Sequence, residues 1–204
     1  MFLGGRELKE LTVERDLSVL VQDDLKVSQQ CCKAANKGNS VLGGINRAFT
    51  LKSKSIILPL CKSLVRLHLD YAIPAWCPHY QKDIAVLEQV QRRATKMVNG
   101  LQNITYEQRL QVLGLTMFKT RMIRADLIQK ILNNIDHVNK DKFFTFALDN
   151  RRGHSLKLYK SRFNLDIGKF AFSNRVCDNC NCLLEHIVTA TSLNIFKNKL
   201  DCHL

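Results

Sequence analysis

The stretch Asp83–Val98, which reads DIAVLEQVQRRATKMV, decides the fold class of this chain. Its apolar residues recur at spacings of three and four, the period of an amphipathic helix; they are Leu87, Val90, Ala94, Met97 and Val98. Arg92, Arg93 and Lys96 gather on roughly the opposite face, within about 100° of one another on an ideal helix. The sequence therefore predicts a helix with a buried face and a basic face.

Helical patterns continue on both sides of this stretch. They predict helices at Ser28–Phe49, Lys54–Tyr71 and Phe118–Asn133. The first is weakened by Gly38 and the pair Gly43-Gly44, and Pro59 should either kink the second or mark its true start. Thr105 with Gln108 predicts a capping box for a short helix that ends at Gly114. Residues 25–135 are thus expected to form a helical domain.

The N-terminal residues 1–24 favour short strands. The pair Gly4-Gly5 predicts a hairpin between Phe2-Leu3 and a strand from Arg6 to Val13. Leu17–Val21 is a short β-prone run, and Asp23-Asp24 ends it as a turn. Such a small piece cannot bury its own apolar face, so we expect it to pack on another element.

Beyond residue 135 the pattern is mixed. Alternation between Leu156 and Ile167 predicts extended structure, and two short helical pieces are expected at 175–188 and 192–200. The fold class is therefore mainly α. We expect a small β segment at 1–24, a helical domain at 25–135 and a basic tail at 136–204.

The net charge of +13 is unevenly spread, because residues 1–24 carry −3 and the rest +16. A basic body favours a polyanionic partner, most commonly nucleic acid, although a basic solubility surface is the alternative. Two sets of cations are candidates for the phosphate backbone of RNA, DNA or an RNA–DNA hybrid. One comprises Lys62, Arg66, Arg92, Arg93 and Lys96, and the other Arg151, Arg152 and Lys157. If the helices carrying the first set face one cleft, these cations would neutralise several phosphates at once. Binding of the nucleic acid would then depend on salt and not on base sequence.

The loop that carries the second set also contains aromatic residues. Tyr159 and Phe163 either stack single-stranded bases or form the inward side of a strand.

The cysteine spacing near the C-terminus invites a zinc hypothesis. Cys177, Cys180 and Cys182 with His186 supply ligand types that tetrahedral zinc prefers, but the second half of a regular site is missing. We expect no bound metal and no other cofactor. In the absence of an export signal the eight cysteines are expected to be free thiols, in an intracellular protein of the nucleus or cytoplasm that is not secreted.

The chemistry of an enzyme is not evident. Val21-Gln22-Asp23-Asp24 resembles the paired carboxylates of polymerases, yet helical pattern follows at once, which favours a polar turn. The sequence has no phosphate-binding loop, nucleophilic triad or HExxH motif. It also has no membrane-spanning run and nothing that indicates a small-molecule substrate.

Five segments together resemble one family. They are ERDLSV (14–19), ILPLCKSLVR (57–66), AWCP (75–78), LEQVQRRATK (87–96) and RGHSL (152–156). In this order they are similar to the C-terminal part of LINE-type, jockey-like non-LTR retrotransposon reverse transcriptases. The chain departs from the family where Ser18 replaces a usual Gly and Cys180 a usual Trp.

The resemblance implies a function. Residues 1–24 would correspond to the palm edge, 25–135 to the thumb that grips template and primer, and 136–204 to the tail. The metal-binding aspartates of the polymerase would lie upstream, so we expect non-specific nucleic-acid binding and no enzyme activity from this chain alone. The departures, with Gly38 and Gly44, would reflect relaxed selection. The alternatives are a zinc-stabilised module, a domesticated protein-interaction module or a non-functional relic.

Overall fold

The computed structural model describes residues 2–3, 6–7, 11–135, 144–147 and 153–203. Two compact units emerge. The first consists of Met1–Ala72 and Pro78–Gln102, and the second of Ile73–Cys77 and Asn103–Leu204. The region 25–135 predicted as one helical domain contributes to both units. The fold is mainly helical with short N-terminal strands, as the sequence predicts.

The first unit begins with two antiparallel strand pairs. Strands β1 (Phe2–Leu3) and β2 (Arg6–Glu7) pair as the predicted hairpin. Val13, predicted as the end of the second strand, belongs instead to β3. Strand β3 (Val13–Asp16) pairs with β4 (Val19–Gln22).

The turn between β3 and β4 corrects the predicted strand Leu17–Val21. Leu17 and Ser18 both have positive φ, of 42° and 70°, and form the two-residue turn of the hairpin. This is the geometry that matches the twist of two paired strands. Asp23-Asp24 forms the predicted turn.

Three long helical segments build the rest of the first unit. They are α1 (Ser28–Ala48), a segment running from α2 (Lys54–Leu60) through a π-helical turn (Cys61–Val65) into α3 (Arg66–Asp70), and α5 (Gln81–Lys96). Pro59 lies inside α2 without ending it. Its missing N–H and its ring disturb the regular hydrogen-bond pattern, and the wide turn follows directly. Ser63 Oγ donates to the Pro59 carbonyl oxygen at 2.9 Å.

Helix α1 is the centre of this unit and packs against both α5 and the π turn with α3. A Cβ at Gly38 would lie 3.1 Å from Val90 Cγ1 and 3.4 Å from Leu69 Cδ2. The three segments therefore approach one another closely at Gly38, which gives this glycine a packing role that its interpretation as relaxed selection leaves out. Gly44 has no such neighbour.

The second unit contains the remaining helices. They are α4 (Ile73–Trp76), α6 (Tyr106–Leu113), α7 (Phe118–Ile135), α8 (Asp166–Lys169), α9 (Phe172–Asn181), α10 (Glu185–Val188) and α11 (Leu193–His203). The predicted capping box of Thr105 and Gln108 is present, and Gly114 ends α6 with φ +61°. Trp76 is buried at the end of α4.

The core of the second unit lies among α7, α9, α10 and α11. Its largest fully buried side chains include Leu127, Ile187, Phe196 and Leu200. The extended structure predicted for Leu156–Ile167 is reduced to one antiparallel bridge between Phe146 and Leu158. Within the described residues no partner strand pairs with the segment beyond Leu158. Its apolar residues are largely exposed. None of the described helices is both long and apolar enough to span a bilayer.

Candidate nucleic-acid interface

The outer face of helix α5 carries the densest group of predicted backbone-binding cations. Its buried stripe includes Leu87, Val90 and Ala94, while Arg92, Arg93 and Lys96 are exposed. The burial pattern thus confirms that the three cations share the solvent side of the helix. We name Arg92, Arg93 and Lys96 the α5 basic face.

The other two cations of this set lie on the neighbouring helical segment. Lys62 belongs to the π turn and is exposed, whereas Arg66 begins α3 and is half-buried. The Arg66 N–H donates to the Cys61 carbonyl oxygen five residues earlier, the hydrogen bond of a π turn. Both this segment and α5 pack on α1. That they border a common cleft remains a prediction.

Of the second set of cations, only Lys157 lies within the described residues. Arg151 and Arg152 lie outside the described residues. Lys157 is half-buried, and its Cε lies 2.8 Å from the position a Cβ would take at Gly153, whose φ is +88°. A side chain at position 153 would collide with the lysine stem and strain the backbone. Lys157 therefore has a packing role in this loop.

The remainder of the RGHSL segment, from Gly153 to Leu156, makes hydrogen bonds to the neighbouring helices. His154 is 1% exposed, and its Nδ1 accepts a hydrogen bond from the Leu156 N–H at 3.2 Å. Its Nε2 consequently carries the hydrogen and donates to the Cys180 carbonyl oxygen at 2.8 Å. Ser155 binds both carboxylate oxygens of Glu185, through its N–H at 2.9 Å and its Oγ at 2.8 Å. The segment thus joins the loop to α9 and α10.

The aromatic residues of the same loop are partly available. Tyr159 is 57% exposed and Phe163 is 50% exposed, so neither is the buried side of a strand. Phe163 Cδ1 would lie 2.5 Å from a Cβ at Gly168, which shows that one side of its ring covers that glycine. Stacking of bases on these rings remains a prediction.

The four candidate zinc ligands do not converge. Cys177 and Cys180 are buried in the core of the second unit, whereas Cys182 and His186 are exposed. Cys177 Sγ instead donates to the Ser173 carbonyl oxygen at 3.1 Å, one helical turn earlier. Nowhere in the described part of the chain do three His, Cys, Asp or Glu side chains form a metal-binding group. The buried thiols act as small core residues.

An ion pair that the sequence does not predict lies inside the second unit. Arg175 donates to Asp126 through Nε at 2.7 Å and Nη2 at 2.9 Å, and it also donates to the Phe170 carbonyl oxygen at 3.2 Å and to the carbonyl oxygen of Pro74. Asp126 is 3% exposed. Burial raises the pKa of Asp126, an effect that the hydrogen bonds and charge of Arg175 oppose. The pair ties α4, α7 and α9 together.

Comparison with known proteins adds no relative. No protein-family model, no curated protein and no solved structure matches this chain.

Proposed function

We propose that this chain is a fragment of a LINE-type non-LTR retrotransposon reverse transcriptase and binds nucleic-acid backbone without sequence preference. The observation that carries the binding is the α5 basic face. Three exposed cations on one rigid helix of 16 residues can neutralise neighbouring phosphates at once. The partner would be RNA, DNA or an RNA–DNA hybrid.

One backbone feature supports the family origin. Ser18 replaces the family's usual glycine, and its φ of +70° lies in the left-handed region that glycine favours. The hairpin turn here thus has the geometry that the family residue would suit. This support is independent of the charge argument.

We further propose that the chain does not polymerise nucleotides by itself. Asp23-Asp24 lies in the turn between β4 and α1, where Asp24 Oδ1 accepts a hydrogen bond from the Lys26 N–H at 3.0 Å. A pair of carboxylates committed to a turn lacks the hairpin setting of a two-metal site. Metal-dependent primer extension by the purified chain, tested with Mg²⁺ and with Mn²⁺, would contradict this proposal.

The binding proposal is tested by fluorescence anisotropy with labelled duplex DNA and RNA–DNA hybrid of unrelated sequences. The triple variant Arg92→Gln/Arg93→Gln/Lys96→Gln should weaken binding to every sequence by a similar factor. Each phosphate contact contributes about 0.9 to the slope of log affinity against log salt concentration, so the slope should fall by up to about 3.

A matched control removes the same charge elsewhere. Lys119, Arg162 and Lys169 are exposed and lie in the second unit. Their replacement by Gln should leave the salt slope nearly unchanged if the α5 basic face makes the contacts. Equal losses in both triple variants would indicate diffuse attraction to net charge and overturn the assignment. Undetectable binding by the unaltered chain would favour the protein-interaction module or the relic.

A further inference from the structure

A groove in the first unit has no residue of α5 among those that line it. Its volume is about 1230 Å³, and its walls are the β3–β4 hairpin, the side of α1 from Ser28 to Ser40, and the end of the α3 region. The span from Ser28 to Ser40 corresponds to about 18 Å along the axis of α1. The groove is therefore long enough for an extended ligand.

The charge of this groove is one-sided. Arg15, Lys33, Lys37 and His68 line it, and none of the described side chains that line it is a carboxylate. Burial, and then the nearby charge of Arg15, lower the pKa of Lys33. An anion placed between these two cations would relieve their repulsion. The groove thus favours an anionic ligand.

The hairpin wall is held in place by three hydrogen bonds. Lys33 Nζ donates to the Ser18 carbonyl oxygen at 2.8 Å, and Tyr71 Oη donates to the Leu17 carbonyl oxygen at 3.1 Å. The Leu20 N–H donates to Gln30 Oε1 at 3.0 Å. Because the hairpin is anchored at both its turn and its second strand, the groove is largely preformed.

Cations and aromatic rings line the same groove, a combination that suits one ligand class. Lys33 and Lys37 lie about one turn apart on α1, roughly 6 Å along its axis, and both line the groove. Tyr71, which is 48% exposed, and His68 present rings to the same space. A charged track beside stacking rings is characteristic of proteins that bind single-stranded nucleic acid.

We propose that this groove binds a single strand of nucleic acid, with phosphates at Arg15, Lys33 and Lys37 and bases against Tyr71 and His68. The proposal rests on the proposed nucleic-acid partner but assigns a second surface with a different preference. The α5 basic face is an exposed side of one helix, whereas the groove lies between the β3–β4 hairpin and α1.

The test compares a labelled 12-nucleotide oligothymidine with a blunt duplex of the same length. The variant Lys33→Gln/Lys37→Gln should weaken binding of the single strand about tenfold or more and change duplex binding much less. Lys119→Gln/Lys169→Gln, which removes the same charge from the second unit, should leave both affinities nearly unchanged. The α5 triple variant should show the opposite preference, reducing duplex binding more.

The aromatic part is tested with two substitutions of one residue. Tyr71→Leu should weaken single-strand binding about fivefold or more because a stacking platform is lost. Tyr71→Phe keeps the ring but loses the hydrogen bond to Leu17, and should bind nearly as tightly as the unaltered chain. Circular dichroism and urea unfolding of each variant separate loss of contact from loss of fold.

The outcomes distinguish the two proposals. Unchanged single-strand binding in the groove variants, an equal loss for single strand and duplex, or indifference to Tyr71→Leu would each overturn the groove proposal. If instead the α5 variants leave duplex binding unchanged while the groove variants abolish single-strand binding, the interface proposed at α5 fails and the groove stands. Inorganic phosphate that displaces the oligothymidine at low millimolar concentration would show a site for a free anion and overturn the strand assignment.

Discussion

The Nε2 of His154 lies 2.8 Å from the backbone carbonyl oxygen of Cys180, across 26 residues of sequence. With the Leu156 N–H bound to Nδ1, both ring nitrogens are satisfied inside the protein. The interaction fixes the loop after Gly153 to helix α9. A histidine that looks like part of a basic surface loop in the sequence is thus a core residue.

His154→Ala should lower the free energy of unfolding of the second unit by about 2–4 kcal/mol, through lost hydrogen bonds and the cavity left behind. Urea denaturation followed by circular dichroism measures the change. His186→Ala is the matched control, because His186 is exposed, and it should change stability by less than about 0.5 kcal/mol. A large effect of His186→Ala that depends on added zinc would revive the metal hypothesis.

Removing one partner of the Asp126–Arg175 pair should be costly. Arg175→Met leaves a buried carboxylate unpaired, and a loss of about 3–5 kcal/mol is expected. The double variant Asp126→Leu/Arg175→Met should lose less than the sum of its single variants, because neither charge remains uncompensated. Thermal or urea unfolding of the four proteins gives the coupling energy.

The exposed ion pair Lys160–Asp178 is the control for the Asp126 and Arg175 variants. Its side chains are 45% and 66% exposed. Solvent screens such a pair, so Lys160→Met should cost no more than about 1 kcal/mol. Similar losses for Lys160→Met and Arg175→Met would show that burial does not distinguish the two pairs.

Substitutions at two glycines of α1 test whether either glycine is needed for packing or reflects relaxed selection. Gly44→Ala should raise the free energy of unfolding by up to about 1 kcal/mol, the difference in helix propensity, since no atom lies within 4 Å of the added Cβ. Gly38→Ala should gain less, because Val90 Cγ1 lies 3.1 Å away, and Gly38→Leu should destabilise by about 1–3 kcal/mol or more. Equal changes in the free energy of unfolding at both positions, measured by urea unfolding, would contradict a packing role for Gly38.

Local signals were sufficient for much of the helical structure. The capping box at Thr105 depends on residues three apart, and the apolar stripe of α5 follows from a period that any reader of the sequence can count. The same holds for the α5 basic face, since residues opposite a buried stripe must face solvent. Long-range partners are different: Arg175 and Asp126 are separated by 49 residues, and nothing in either neighbourhood specifies the other.

The charge pattern of the C-terminal region did not predict which of its basic residues are buried. In the sequence, His154 and Lys157 look like members of a basic binding loop. Burial of His154 and packing of Lys157 on Gly153 depend on how that loop meets α9, which periodicity does not specify. The groove beside α1 was missed for the same reason, because Arg15 and Lys33 come together only when the hairpin folds back on the helix.

Acidification should destabilise the chain partly through Glu185. Hydrogen bonds from Ser155 Oγ and N–H hold the pKa of Glu185 below its ordinary value. Because the folded state favours the carboxylate, this contribution is present above the pKa of the unfolded chain, about 4.3, and is lost as pH falls through the folded pKa. Glu185→Gln should therefore flatten the decline of stability between neutral pH and pH 3. Urea midpoints at several pH values measure it, and identical declines in both proteins would contradict the assignment.

Thiol reactivity should divide the eight cysteines by burial. Cys32, Cys182 and Cys202 are exposed, and the other five are buried. Burial raises the pKa of the Cys61 thiol to about 11 and that of the Cys77 thiol to about 12, so the reactive thiolate is scarce at both positions. A brief pulse of iodoacetamide at pH 8, followed by peptide mass spectrometry, should label the three exposed thiols first and all eight only after unfolding in urea. Early labelling of Cys177 or Cys180 would show that the core of the second unit is open, and zinc-dependent protection of Cys182 would place a metal where the described side chains do not converge.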